Sequence, residues 1–353
     1  MGCVSFNSNY DYSFSDDLIA KTRDLNKLLT LELELSRKCN YNCKYCYTKA
    51  GNALEQELTL DELCDVVEQA RELGVRTIIL IGGGEPFLYN HLRTVMEYIY
   101  NRNISMIIFT NGSMIDKETA DFLYRLNVLP VLKVNGLQAK VVNWLCSNKS
   151  AYKNITNAIK CFEQAGYLEA GRKIGITTVI CKQNYDQILP LWEWARDNNV
   201  IPYFERVIPQ GRANGFNLSV EREELQSIFN QLKDLDKRKY NMEWENDYMP
   251  IAGVKCNRHF YSIYINADGQ VQPCSGVDIN VGNIRNQSLK DIITHSEVIQ
   301  NLRHIDSTIK GKCKTCHRAF KCYGCRGNAY QMEKDYLAAD PMCWVESSIG
   351  PDL

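Results

Sequence analysis

No stretch of 18 apolar residues occurs in this chain, and its N-terminus lacks the charged-then-apolar signature of an export signal. A membrane-spanning or secreted protein is therefore not expected, and the sequence reads as cytoplasmic. There is no surplus of charge of either sign: 41 Lys and Arg stand against 42 Asp and Glu, so no global basic excess suggests a nucleic-acid partner. What the sequence does have is cysteine, 15 copies in 353 residues. In a chain of this length without an export signal, reduced thiols that hold metal suit that number better than a disulfide scaffold. The length allows one large domain and a smaller one.

Residues 1–30 read as an extension with a helical stretch near 16–28. From Leu31 to about residue 240 strand-like and helix-like segments alternate. Strands are expected at 31–36, 77–81, 104–110, 128–135, 174–181 and 201–206. Helices are expected near 60–73, 90–101, 116–126, 151–165, 186–199 and 221–236. Thr59 with Glu62 makes a capping box at the start of the first of these helices, and Gly74 ends it. Six β-α units in succession imply a parallel sheet with helices outside. Beyond 240 the pattern changes to cysteines, turns such as Asp268-Gly269 and short strands such as 260–265, so 241–353 is read as a second domain.

Ten cysteines fall into two patterned groups. Cys39, Cys43 and Cys46 are spaced C-x3-C-x2-C directly after the first strand, and three thiolates can hold three irons of a cube and leave the fourth open. The alternative is a zinc site completed by a distant ligand. After the second strand comes Gly82-Gly83-Gly84-Glu85-Pro86, where glycines permit close backbone approach and a carboxylate can meet an ammonium. The third strand ends at Thr110-Asn111-Gly112, which an ordinary turn would also explain. Together these motifs resemble those of radical S-adenosylmethionine (SAM) enzymes. The resemblance implies a partial (β/α)6 TIM-like barrel over 31–240 and a [4Fe–4S] cluster on Cys39, Cys43 and Cys46. It further implies SAM held by Tyr45, Gly83, Gly84, Glu85, Thr110 and Asn111.

The later cysteines are Cys256, Cys274, Cys313, Cys316, Cys322, Cys325 and Cys343. Their order resembles the SPASM extension of the same enzymes, although the last short spacing is two where three is usual. The resemblance implies two auxiliary [4Fe–4S] clusters, an outer one on Cys313, Cys316, Cys322 and Cys343 and an inner one on Cys256, Cys274 and Cys325. The fourth ligand of the inner cluster stays open between solvent, substrate and a side chain such as His259. Lys310, Lys312, Lys314, Arg318, Lys321 and Arg326 surround these thiols. They either offset the cluster charge or dock an acidic electron donor such as ferredoxin or flavodoxin. Of the scattered cysteines, Cys64 is expected to be buried on the face of Leu60, Leu63 and Val67.

Alternation in Leu31-Glu32-Leu33-Glu34-Leu35 puts the leucines on one face and the glutamates on the other. If the leucines pack under the outer helices, Glu32 and Glu34 face inward, and similar parity can place Lys133, Asn135 and Glu205 there. Glu34, Lys133 and Glu205 are then the candidate catalytic residues, with a self-satisfied ion-pair network as the alternative. A polar, mixed-charge lumen would suit a small polar metabolite such as a sugar or aminocyclitol, oxidised or epimerised by a SAM-derived radical. Sulfatase maturases, relatives by cysteine pattern, carry an aspartate where this chain has Ser275, with Asp278 nearby but out of place. Thirty residues before the first strand leave no room for a fused leader-peptide domain. Maturation of a ribosomally made peptide or protein side chain is the alternative, and a non-catalytic iron–sulfur electron carrier is the alternative of another class.

Overall fold

The computed structural model describes residues 14–169, 171–244, 251–319 and 322–345; Cys3 and Lys321 lie outside them. A first helix, α1 (Asp16–Asp24), starts on Ser15, whose hydroxyl accepts the Leu18 amide at 3.3 Å. The alternating part then runs β1 (Thr30–Leu33), α2 (Leu60–Glu72), β2 (Thr77–Leu80), α3 (Leu92–Tyr100), β3 (Ser105–Thr110), α4 (Lys117–Arg125) and β4 (Leu129–Lys133). It continues through α5 (Ala139–Cys146), α6 (Ala151–Gln164), β5 (Gly175–Ile180), α7 (Ile188–Asp197), β6 (Ile201–Arg206) and α8 (Arg222–Tyr240). All six expected strands are present. The capping box at Thr59 is formed in both directions, and Gly74 takes a positive φ just beyond the end of α2. The helix α5 was not expected: it has only eight residues and no side-chain cap at its start.

Beyond residue 250 the chain forms β7 (Ser262–Ile265), β8 (Gln270–Gln272), β9 (Gly282–Asn283), α9 (Leu289–His295), α10 (Glu297–Arg303), α11 (Ile305–Thr308) and α12 (Arg326–Glu333). The change of pattern near 240 is not a break in the sheet. Strands are ordered β6-β5-β4-β3-β2-β1-β7-β8-β9, and β7 pairs in parallel with β1 over Thr30↔Ser262 to Leu33↔Ile265. The result is a mixed α/β protein whose six-strand parallel barrel sheet stays open. Its β1 edge is continued by the cysteine-rich half, ending in the antiparallel β8 and β9.

Strand parity explains the two faces. Leu31 and Leu33 are fully buried and share one core with Leu63, Val66 and Val67 of α2, which leaves Glu32 and Glu34 on the other face. Two expectations are corrected here. Cys64 is half-buried, because α2 buries Leu63, Val66, Val67 and Ala70 and residue 64 falls on the flank of that stripe. The lumen is not polar throughout. Thr30, Ile79, Ile107, Phe109, Leu129, Val131 and Ile201 line a largely apolar cavity of about 220 Å³ whose wall also includes Tyr203, Cys256 and Arg258. The sequence reading rested on Glu32, Glu34, Lys133, Asn135 and Glu205 and left out the other inward positions, which are mostly aliphatic.

Candidate active site and cluster-binding residues

The loop after β1 carries Cys39, Cys43 and Cys46 and is held at several points. The Cys39 amide donates to Gly51 O at 2.8 Å, and the Lys44 amide donates to Leu145 O at 2.9 Å. Arg212 donates to the carbonyls of Cys43 and Ala50, each at 2.9 Å. A guanidinium that binds backbone carbonyls fixes the loop and leaves its own positive charge beside the thiols. Nothing in the spacing of the cysteines pointed to Arg212, more than 160 residues away. All three cysteines line one cavity of about 190 Å³ together with Tyr45, Gly82, Gly83, Gly84, Glu85, Thr110, Asn111, Lys133 and Glu205. Burial pushes the Cys39 thiol up to about 11, and the Cys146 thiol together with burial raises that of Cys43. Loading iron on such thiols must therefore displace protons.

The glycine run does more than admit a ligand. A Cβ on Gly83 would meet Ser36 O, and one on Gly84 would meet Lys38 O, because the two loops lie backbone to backbone. The Gly84 amide donates to Ser36 O at 2.7 Å and the Glu85 amide to Lys38 O at 2.9 Å. This seam sets the height of the cysteine loop over the strand ends. Glu85 is buried, and its carboxylate accepts the Thr110 hydroxyl and the Asn111 amide, each at 2.7 Å. Burial still dominates and pushes its carboxyl up to about 7. Glu85, Thr110 and Asn111 thus form one cluster that tops β2 and β3.

Lys133 and Glu205 meet at 3.7 Å across the same cavity, and the Lys133 ammonium stands 5.3 Å from the centre of the Tyr45 ring. The Tyr45 hydroxyl lies 3.6 Å from the sulfur of Cys146, a buried cysteine outside both patterned groups. Glu34 is placed elsewhere. It is fully buried and bound by Arg37 at 2.6 Å, the Tyr264 hydroxyl and the Ala267 amide, beneath the glycine run. It borders a separate polar cavity with Gln210, Ser275 and Asp278. Glu32 pairs with Arg258 at 3.1 Å, and Asn135 accepts the Val179 amide inside the barrel. The self-satisfied alternative describes Glu32 and Glu34 better than it does Lys133 and Glu205.

In the second half, Cys256, Cys274 and Cys325 act electrostatically on one another, and burial pushes Cys256 up to about 11 and Cys274 up to about 12. Burial raises the Cys343 thiol, with a small further contribution from Cys313. Backbone amides point at the sulfurs: Val277 at Cys274 (3.4 Å), Arg318 at Cys316 (3.4 Å), Gly324 at Cys322 (3.3 Å) and Asn328 at Cys325 (3.3 Å). Buried Nε and Nη1 of Arg206, and Nε and Nη2 of Arg326, have no partner among the described residues. Donors that surround soft sulfur ligands, with cationic groups left over, fit anionic iron–sulfur clusters. Lys310 is paired with Asp335 at 2.7 Å, and Lys312 donates to Cys343 O at 3.0 Å. His259 is half-buried, with its Nε2 shut off from solvent and unpartnered among the described residues, and its ring rests 4.2 Å from that of Phe260. No helix of the described residues is long and apolar enough to cross a membrane.

A model of the radical SAM superfamily matches residues 33–195, and one of the iron–sulfur cluster-binding SPASM domain matches residues 256–317. Among similar proteins, an AdoMet-dependent heme synthase of Methanosarcina barkeri is 25% identical over 88% of this chain and 94% of its own length. The sporulation killing factor maturation protein SkfB of Bacillus subtilis is 25% identical over 84% of this chain and 69% of its own. In fold, the crystal structure of Streptococcus suis SuiB bound to precursor peptide SuiA matches with a TM-score of 0.71. The match covers 92% of this chain and 78% of that one, at 20% identity. The first model spans Cys39, Cys43 and Cys46 and the second spans Cys256, Cys274, Cys313 and Cys316, ending before Cys322, and the chain belongs to the radical SAM enzymes that carry a SPASM iron–sulfur domain.

Proposed function

We propose that this enzyme modifies an amino-acid side chain of a ribosomally made peptide by radical hydrogen abstraction and net two-electron oxidation. The observation that carries this reading is the apolar cavity. It shares Phe109 with the SAM-site cavity that Lys133 and Glu205 line, and Cys256 is part of its own lining. A hydrophobic side chain inserted from above would pass the SAM site and end against a candidate ligand of the inner auxiliary cluster. Relatives named as maturation proteins, SkfB and the mycofactocin maturase of Mycolicibacterium smegmatis, support the same reading. The sugar or aminocyclitol reading rested on a polar lumen, whereas much of the lumen wall is apolar and Glu32 is already paired with Arg258.

In this assignment Cys39, Cys43 and Cys46 hold the first cluster. Cys256, Cys274 and Cys325 hold the inner auxiliary cluster, and Cys313, Cys316, Cys322 and Cys343 hold the outer one, three [4Fe–4S] clusters in all. SAM bound at the first cluster supplies the 5′-deoxyadenosyl radical. Glu85, backed by Thr110 and Asn111, holds the ammonium of SAM, and Tyr45 packs beside the nucleoside. Lys133 and Glu205 bind the polar backbone of the peptide at the cavity mouth, and Glu205 takes the proton that the substrate radical loses. The electron of that radical would pass to the inner auxiliary cluster on Cys256, Cys274 and Cys325. The apolar wall excludes water from the carbon that is attacked.

A second reading is favoured by one observation. The heme synthase relative is matched over nearly its whole length, which points to a tetrapyrrole as the occupant. Anaerobically reconstituted protein, SAM and dithionite, incubated with precursor peptides encoded beside its gene, distinguish the two. A peptide lighter by two hydrogens, with one 5′-deoxyadenosine formed per peptide, is expected. Inert peptides, combined with 5′-deoxyadenosine formed only on adding a tetrapyrrole, would overturn the peptide reading in favour of the second.

A further inference from the structure

The helices α5 and α6 form the outer side of the first cluster site, and their sequence carries an imbalance that the proposed chemistry does not use. From residue 122 to residue 162 there is no Asp or Glu, while Lys140, Lys149, Lys153 and Lys160 are exposed. None of the four is ion-paired among the described residues. In a chain of net charge −1, an acid-free run of this length is a local feature rather than a reflection of composition, although α4 packs on α6 and brings Asp116 near Cys161.

This face is fastened to the cysteine loop. The Lys44 amide donates to Leu145 O at the end of α5, and Asn154 of α6 donates to the Tyr41 hydroxyl at 2.7 Å. Cys146, the last residue of α5, lies against the thiol of Cys43. Outside it, Trp144 and Phe216 are exposed at 43% and 41%, and the Lys44 ammonium sits between them, 4.7 and 4.9 Å from the two ring centres. An exposed aromatic pair beside a stretch, residues 139–162, whose charged residues are all lysines has the composition of a docking site, with apolar anchors and a charged surround. The exposed Trp144 and the Cys146 that is buried against Cys43 stand two residues apart in the same helix.

We infer that the α5–α6 face, with Trp144 and Phe216 at its centre and Lys44, Lys140, Lys149 and Lys153 around them, docks the acidic one-electron carrier protein that reduces the first cluster. One electron leaves the carrier's reduced flavin, which passes from anionic hydroquinone to neutral semiquinone, and enters the four-iron cluster, whose net charge falls by one. No proton needs to cross the interface. The inference rests on the assignment of the first cluster to Cys39, Cys43 and Cys46 and is independent of the substrate. It also relocates the expected docking patch: of the basic run at 310–326, Lys310 and Lys312 are engaged within the domain and Arg326 is buried.

The test measures binding of a purified acidic flavodoxin to the reconstituted enzyme by surface plasmon resonance across a series of salt concentrations. In the triple variant Lys140→Glu, Lys149→Glu, Lys153→Glu the association rate at low salt is expected to fall about tenfold or more, and its salt dependence to flatten. Cleavage of SAM driven by dithionite should match the parent, as should the cluster absorbance, which shows that the variant is folded and loaded. Trp144→Ala is expected to speed dissociation. The inference is overturned if the triple variant binds flavodoxin like the parent, or if Lys310→Glu with Lys314→Glu weakens binding as much. It is also overturned if the triple variant loses affinity for the precursor peptide and none for flavodoxin.

Discussion

At the scale of single residues, Glu85 concentrates the conflict between folding and function. Its burial favours the neutral acid, whereas holding an ammonium requires the carboxylate. The folded-state value of about 7 lies above the ordinary 4.5, so the folded protein retains a proton that the unfolded chain has lost. Glu85 therefore contributes stability that is complete below pH 4.5 and is lost as the pH rises to 7. The difference amounts to on the order of 3 kcal/mol. Without SAM, the melting temperature of the parent should fall more between pH 5 and pH 8 than that of Glu85→Gln. Binding of SAM runs the other way. Its affinity, measured by equilibrium dialysis on cluster-loaded protein, should rise about tenfold per pH unit up to about pH 7 and then level. In Glu85→Gln it should be weak and flat. A parent profile without that bend would remove Glu85 as the ammonium partner.

The elements show why part of the site could be read in the sequence and part could not. Motifs whose chemistry is local were legible: three cysteines in eight residues, the glycine run with its acid, and the six strands with their capping box. Contacts that join distant segments were not. Arg212 fixes the cysteine loop from a turn after β6, and Cys146 reaches Cys43 from a helix too short to stand out. The helices α9 and α10 left a signal that was passed over, since Ser288 and Ser296 each cap a first turn, accepting the amides of Asp291 and Ile299. The polar lumen was misjudged because the polar positions of β1, β4 and β6 were taken to represent the whole wall. The seam between loops yields a prediction at this scale. In Gly84→Ala the new methyl meets the backbone of Lys38, so the two loops must part, at a cost of about 1–3 kcal/mol. The iron associated with the first site should then be lost while that of the later cysteines is retained. Iron analysis combined with Mössbauer spectra checks this, and uniform loss across all sites would contradict the seam. Arg212→Ala should act in the same direction, since it frees the carbonyls of Cys43 and Ala50 together.

At the scale of the molecule, the cysteine-rich half is part of the same sheet, and a buried ion pair joins it to the barrel's far edge. Arg206, at the end of β6, meets Asp340 at 2.7 Å, with side chains 3% and 0% exposed. Asp340 also accepts the amides of Cys325 and Met342 and the side-chain amide of Asn328. Although burial opposes ionisation, the Arg206 charge and these donors hold its carboxyl below the usual aspartate range. Its contribution is therefore present above the ordinary value of 3.8 and is lost as the pH falls through the folded value. Removing one member of such a pair leaves a buried charge uncompensated and costs about 3–5 kcal/mol. Asp340→Ala should accordingly melt well below the parent at neutral pH. It should also lose iron from the site of Cys325 before that of Cys39, because the same carboxylate positions the Cys325 backbone. The double variant Arg206→Leu with Asp340→Leu should recover much of the melting temperature, since the unpaired charge is gone, and little of the iron, since the Cys325 amide still has no acceptor. Equal recovery of both would mean that Asp340 serves the fold alone. A melting temperature unchanged by Asp340→Ala would mean that the two halves are held together by β1 and β7 without it.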